Sequence, residues 1–217
     1  GLRYDPARGI PRRSWLFVMT LSFSRHQFAD LVFDQRSETW IRLHIAAFEH
    51  FGGVPKVIVP DNLKAAVVRA AFGVSRDPVL HRTYLELARH YGFQIDPAPP
   101  RSPEKKGKVE RNVGYVRRNF LATNDPVDIE TDRRALSRWL VEVAAARRHG
   151  TTGRVVIELF EERERQALLP LPAARFETVV WKAQGRGTIV TVHRLKDKGL
   201  RLRNNGLNEA YHGPTEP

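Results

Sequence analysis

Ser14–Phe23 reads Ser-Trp-Leu-Phe-Val-Met-Thr-Leu-Ser-Phe, a nearly unbroken apolar run between Arg12-Arg13 and Ser24-Arg25-His26. It is too short to cross a bilayer as a helix, which takes about 20 apolar residues. It alternates too little to be a strand with one wet face. A strand covered on both sides satisfies it, so the chain must put helices on two faces of a sheet. Gln27–Phe33 alternates more and predicts the antiparallel partner, joined through Ser24-Arg25-His26.

The rest of the chain supplies those helices. Residues 1–13 hold two Pro, two Gly and four Arg, and read as a turn or loop. Ser37 suits an N-cap, before a helix with Trp40, Leu43, Ala47, Phe48 and Phe51 at helical spacing, stopped by Gly52-Gly53. Lys56–Pro60 predicts a short buried strand. Asp77-Pro78 resembles an N-cap with Pro at the first helical position, opening a helix with Leu80, Tyr84, Leu87, Ala88 and Tyr91 that Gly92 ends. Phe93–Asp96 predicts another strand, and four prolines between residues 97 and 103 keep the next passage extended. A helix follows from about Lys105 to Leu121 with Val109, Val113, Val116 and Phe120 on one stripe, then another over Ile129–His149 with Leu136, Leu140, Val143 and Ala144 inward. Val155–Leu169 is acidic and helical in pattern, Pro170 and Pro172 make a linker, and Thr178–Trp181 and Thr188–Val192 suit strands. Beyond Lys196 the chain is polar and reads as a poorly ordered tail. Antiparallel strands followed by alternating strand and helix predict an α/β fold, a mixed sheet flanked by helices.

The 217 residues carry a formal net charge of +12. Such a balance favours a polyanionic partner, nucleic acid ahead of a membrane surface. There is no cysteine, which excludes disulfides and thiolate metal sites and fits a cytoplasmic setting. No apolar stretch suits a membrane span. The histidines show neither HxxxH nor HExxH spacing, and no P-loop, GxGxxG or GxSxG is present. Signatures of the common RNA-binding modules are absent as well.

Two carboxylates stand apart. Asp61, followed by Asn62, comes at the end of Val57-Ile58-Val59-Pro60, where a strand gives way to a loop, the usual site position in open α/β sheets. By residue type alone Asp61 is also a good turn residue or N-cap. Glu110 lies inside Pro103-Glu104-Lys105-Lys106-Gly107-Lys108-Val109-Glu110-Arg111. It could pair on the surface with Lys106, an interaction of only about 0.3–0.5 kcal/mol. Residues 101–120 hold seven cations (Arg101, Lys105, Lys106, Lys108, Arg111, Arg117, Arg118) against Glu104 and Glu110. Several precede the helix or sit in its first turn, where the dipole disfavours cations, which points to an anionic partner. A carboxylate among those bases makes sense where it binds a cation, so the pair suggests divalent-metal chemistry on nucleic acid.

At Val59-Pro60-Asp61-Asn62-Leu63-Lys64 and at 103–110 the sequence resembles the integrase-core transposases, above all the IstA-type transposases of bacterial insertion sequences. WLFVMTLSFSR at 15–25, FEHFGGVP at 48–55, HYGF at 90–93, VRRNF at 116–120 and HGTTGR at 149–154 support this, over about residues 1–182. The resemblance implies a DDE recombinase on a ribonuclease-H-like fold. Asp61 then corresponds to the second acid and Glu110 to the third, both metal-holding and catalytic. The first belongs to a QVDFG-like segment on the opening strand, expected before Gly1 and so outside this chain; Asp5-Pro6 reads as a turn. The expected layout is an integrase core lacking its first strand over 1–124, a helical extension over 125–169, and a linker with a partial β region over 170–217. No YSVP-like motif of the family's small β-barrel follows Ala183.

The same resemblance implies two Mg²⁺ or Mn²⁺ ions in the complete enzyme, DNA cleavage at element ends, and strand transfer into target DNA. Asn62, Lys64, Arg101, Lys105, Lys106, Lys108, Arg111, Arg117 and Arg118 would hold the DNA backbone. It further implies a transposase multimer, an AAA+ helper ATPase of the IstB type, and work at the bacterial nucleoid. The alternative reading is a catalytically inactive DNA-binding or assembly fragment.

Overall fold

The computed structural model describes residues 1–60, 67–69, 79–80, 82–96 and 111–177. Gly1–Ala174 form one compact unit, and the second unit, Arg175–Pro217, lies almost wholly outside the described residues.

β1 (Leu2–Asp5) and β2 (Ile10–Arg13) form an antiparallel hairpin where the composition predicted a loop. Gly9, at φ 67°, closes the turn, and the amides of Arg8 and Gly9 both donate to the Asp5 carbonyl. Leu-Arg-Tyr-Asp already alternates, and the Pro and Gly signals belong to the turn between the strands. β3 (Trp15–Thr20) and β4 (Gln27–Val32) pair antiparallel, Trp15 opposite Val32 and Thr20 opposite Gln27, as expected.

This ladder is covered on both faces. Ala29 and Leu31 pack with Val116, Phe120, Ile129, Leu136, Leu140 and Ala144. Phe17 and Val32 pack with Leu43 on α1 (Ser37–Phe51). The helix cap differs from expectation. Arg36 is the N-cap without a side-chain bond, and Asp34 organises the entry instead, accepting from the Arg36 amide and the Thr39 hydroxyl. Gly52 ends α1 in the left-handed region at φ 67°.

β5 (Val57–Ile58) is shorter than predicted, and Val57 is 48% exposed where full burial was expected. It pairs in parallel with β8 (Gln94–Ile95), while β6 (Val67–Arg69) pairs antiparallel with β7 (Val79–Leu80). Leu80 is therefore a strand residue, and the helix predicted from Asp77 is α2 (Arg82–Tyr91), ended by Gly92 at φ 75°. Asp77-Pro78 lies outside the described residues. Aromatic rings tie α1 to α2 and to the residue before β8: Phe48 touches Tyr91 and Phe93, and His44 meets Trp40 at a tilt and Tyr84 edge-on. Trp40, Phe48 and Tyr84 are core, as their spacing predicted.

The described part of α3 covers residues 111–116 and continues into the widened turn Arg117–Leu121, where the Ala122 amide reaches back to Arg117. α4 (Ile129–Trp139), capped by Asp128, widens in the same way over Leu140–Ala144. It stops short of the predicted His149, and Val143 is 48% exposed instead of facing inward, because the widened turn rotates it off the stripe. α5 (Val156–Leu159) runs on through Phe160–Glu164 and Arg165–Ala167, matching the predicted acidic helix. Two contacts join it to the strands. Glu164 accepts from the amides of Phe23 and Ser24 at 3.0 and 2.9 Å, and Val54 and Leu169 exchange two backbone bonds of 2.8 Å. The ladders among the described residues are each two-stranded. Thr178–Trp181, Thr188–Val192 and the tail lie outside them.

Candidate nucleic-acid interface and carboxylate site

The parallel pair β5–β8 sets the direction in which the chain leaves the sheet. The Gln94 amide donates to Lys56 at 2.8 Å and the Asp96 amide to Ile58 at 2.9 Å. Both strands therefore end on the same side, the side on which open α/β sheets place their sites. β5 leads through exposed Val59 and buried Pro60 directly into Asp61-Asn62, and β8 leads into the prolines before Arg101. Asp61, Asn62, Lys64, Arg101, Lys105, Lys106, Lys108 and Glu110 themselves lie outside the described residues.

Glu110 immediately precedes the described turns of α3. Val116 and Phe120 anchor that helix in the core and Val113 is half-buried, while Arg111, Arg117 and Arg118 are exposed. Over the described residues the apolar stripe does what its spacing predicted and leaves Arg111, Arg117 and Arg118 exposed, while Val109 lies outside them. Arg118 lies along the helix over Gly114, where an added Cβ would stand 3.0 Å from its guanidinium.

The strand assignment of residues 2–5 changes the setting of Asp5. It ends β1, 5% exposed, with Oδ2 at 2.6 Å from Arg12 Nη1 and Oδ1 accepting from the Ala7 amide at 3.1 Å. The hydrogen bond from Arg12 lowers its pKa first, with the Ala7 amide adding to it against the opposing effect of desolvation. Asp5 is ionised and bonded within its own hairpin.

Two further groups have no precedent in the sequence pattern. Asp30, within β4, accepts from Arg133 of α4 in a two-pronged bond of 2.7 and 2.7 Å, with Arg42 of α1 at 3.8 Å. His44 is buried in α1 and keeps its ring bonds inside the core, Nδ1 to the Trp40 carbonyl at 2.9 Å and Nε2 to the Tyr84 hydroxyl at 3.3 Å. Burial pushes its pKa down to about 4. Both sit at core spacing, so only their partners, distant in sequence, reveal what they do. Among the described residues no three His, Cys, Asp or Glu converge as a metal cluster, and no helix is long and apolar enough to cross a membrane.

Residues 4–103 match the integrase core domain family. The match includes Asp5 and Asp61 and ends ahead of Glu110. A protein of Mycobacterium tuberculosis described as a transposase is 38% identical over 202 residues, covering 92% of this chain and 48% of the relative. The transposase for insertion sequence element IS21 of Pseudomonas aeruginosa is 35% identical over 165 residues, 74% of this chain and 40% of the relative. The transposase for insertion sequence element IS640 of Shigella sonnei is 38% identical over 133 residues, 60% of this chain and 41% of the relative. The chain spans about half the length of these relatives or less. Residues 4–103 thus carry an integrase core domain, and most of the chain is similar in sequence to transposases of bacterial insertion sequences.

Proposed function

We propose that this chain is the catalytic core of an insertion-sequence transposase, joining DNA by phosphoryl transfer at a site built from Asp61, Glu110 and Asp5. The observation that carries the reading is the parallel pair β5–β8 inside the integrase-core match, opening directly into Asp61-Asn62. We read the two-stranded ladders as parts of one mixed, ribonuclease-H-like sheet, with residues 125–169 as a helical extension and the last segment as a linker and partial β region. Asp5 enters because it ends a strand within the match, whereas Asp30, the next acid along the chain, is held in a two-pronged bond by Arg133.

The donor set suits a hard divalent cation, since carboxylates and water are the ligands Mg²⁺ and Mn²⁺ prefer. Two such ions, when bound, would activate the attacking oxygen and stabilise the leaving one in an in-line displacement. The chain's own contribution is positioning. β5 and β8 fix where Asp61 and the 101–110 passage leave the sheet. Val116 and Phe120 anchor in the core the helix that follows Glu110. Asn62, Lys64, Arg101, Lys105, Lys106, Lys108, Arg111, Arg117 and Arg118 hold backbone phosphates, which sets register without reading sequence. The partners under this reading are element ends and target DNA, other copies of the transposase, and an IstB-type AAA+ ATPase, acting at the nucleoid.

The ion pair of Asp5 with Arg12 favours a second reading, a DNA-binding or assembly unit without catalysis, because a carboxylate held by a guanidinium is a poorer metal ligand. One assay separates the two. The chain is incubated with duplexes bearing 3′-OH element ends and a supercoiled plasmid, with Mg²⁺ or Mn²⁺, alone and within a full-length transposase. Joined products lost in Asp5→Asn, Asp61→Asn and Glu110→Gln support the catalytic reading. Joined products that survive Asp61→Asn and Glu110→Gln exclude this site. DNA binding without products, even in the full-length protein, establishes the second reading.

A further inference from the structure

Away from the 101–110 run, three stretches of chain bring cations to one place. Arg25 occupies the β3–β4 turn at φ 69°, the only non-glycine residue with positive φ among the described residues. That turn is gripped by Glu164, which accepts from the Phe23 and Ser24 amides. The start of α5 packs at the same end of the ladder, Ile157 against the cluster that holds Leu21 and Phe160, and the Phe160 ring 4.8 Å from that of His26. The segment before it is tied to α5 where Arg148 bridges Val155 and the Val156 amide donates to the Arg147 carbonyl. Arg147 in turn lays its guanidinium over the Tyr115 ring of α3, 3.7 Å from the centroid. Arg111 lies one helical turn before Tyr115, on the same face.

Two acids of the α5 segment are already engaged. Glu162 pairs with Arg154 and Arg163, and both oxygens of Glu164 hold the turn. Among the described residues no carboxylate lies within ion-pair distance of Arg25 or Arg147.

We propose that Arg25, Arg147 and His149, with Arg111 shared from the basic stretch already described, form a second phosphate-binding surface for duplex DNA. The proposal rests on the transposase-core reading and specifies where a further stretch of the DNA backbone runs. Four cationic or hydrogen-bonding groups from three stretches of chain, with Glu162 and Glu164 held by other partners, present a concentrated positive field. A phosphate backbone neutralises such a field and releases counterions in doing so.

His149 reports on the field. Its Nδ1 accepts from the Thr151 amide at 3.2 Å, so the neutral ring carries its proton on Nε2 and has that N–H to donate. Its pKa is lowered, first by desolvation and then by the charges of Arg147, Arg25 and Arg111. A phosphate seated among the three arginines would offset their charge and raise the proton affinity of the ring.

The test uses the full chain and a short mixed-sequence DNA duplex. Binding is measured by fluorescence anisotropy at several salt concentrations for wild type, Arg25→Gln, Arg147→Gln, Lys105→Ala, Lys108→Ala, and Arg36→Gln as a control on the exposed Asp34 pair. Arg25→Gln and Arg147→Gln should each reduce the slope of log K against log salt by about 1, and Arg36→Gln should leave it unchanged. In parallel the His149 ring is titrated by NMR in wild type with and without the duplex, and its pKa should rise in the complex. That measurement decides the matter even where a variant fails to fold. Unchanged slopes in Arg25→Gln and Arg147→Gln, with no shift at His149, overturn this surface; if Lys105→Ala and Lys108→Ala then flatten the slope, the core reading stands. No binding by wild type overturns both.

Discussion

Replacing Arg133 with Met tests whether α4 is locked to the strands by a buried charge. Asp30 is 7% exposed and takes both prongs of the Arg133 fork at 2.7 Å. The bond holds the Arg133 guanidinium more firmly protonated than usual, with its hydrogen bonds to Asp30 as the first cause. Removing one partner of a fully buried pair costs about 3–5 kcal/mol, because the other charge is left unpaired. Here the loss is smaller. Arg133 keeps 40% of its side chain in water, Arg42 remains at 3.8 Å, and the Leu31 amide still donates to Asp30 at 2.8 Å. Screening at the exposed end and these residual partners bring the expected loss to about 2–3 kcal/mol. At about 2–4 °C per kcal/mol for a chain of this size, the melting temperature should fall by roughly 5–10 °C. Urea unfolding of wild type, Arg133→Met, Asp30→Leu and the double variant gives the cycle. The double variant should be less destabilised than the sum of the singles by about 1.5–3 kcal/mol. An Arg133→Met variant within about 0.5 kcal/mol of wild type, the range of ordinary surface changes, would refute the reasoning.

Acid should act through the buried histidines. His26 and His44 are each held down to about 4, by burial in both and also by the charge of His50 at His26. Because the unfolded imidazoles titrate near pH 6.5, stability present above that pH should fall toward pH 4 by about 1.4 kcal/mol per unit for each ring. Denaturant midpoints at stepped pH check this, and His44→Gln with His26→Gln should flatten the profile. Gly53→Ala places a Cβ 2.8 Å from Leu168 Cβ and 3.0 Å from the Leu169 carbonyl, so thermal melts should show a loss of about 1–3 kcal/mol from overpacking. Glu164→Gln removes the charge that holds the Phe23 and Ser24 amides, and those two amides should exchange hydrogen faster while the β3–β4 ladder stays protected.

Local pattern carried the elements whose neighbours agree with it. The β3–β4 pair, α1 and its glycine stop, the apolar stripe of α3 and the acidic α5 were all legible, because periodicity and turn chemistry point the same way there. The misses have separate causes. In residues 1–13 Pro6 and Gly9 mask two strands, since the breakers belong to the turn and Leu2 to Asp5 already alternate. Leu80 has helical spacing to Tyr84, yet pairing with Val67 claims it for a strand. Val143 leaves its stripe because Leu140–Ala144 widens the helix, and no sequence period announces that. Asp30, His44 and the cluster around His149 depend on partners far away in sequence. Asp61 and Glu110 stood out in the sequence itself, one by its place after an apolar strand and the other by its isolation among cations.

Divalent-metal binding tests the central claim most directly. Mn²⁺ is titrated into the chain and followed by electron paramagnetic resonance, alongside Asp61→Asn, Glu110→Gln and Asp5→Asn variants of unchanged melting temperature. The account predicts saturable Mn²⁺ binding in wild type, competed by Mg²⁺, that is lost in Asp61→Asn and in Glu110→Gln and weakened in Asp5→Asn. Mn²⁺ binding that persists unchanged in Asp61→Asn and Glu110→Gln would contradict it.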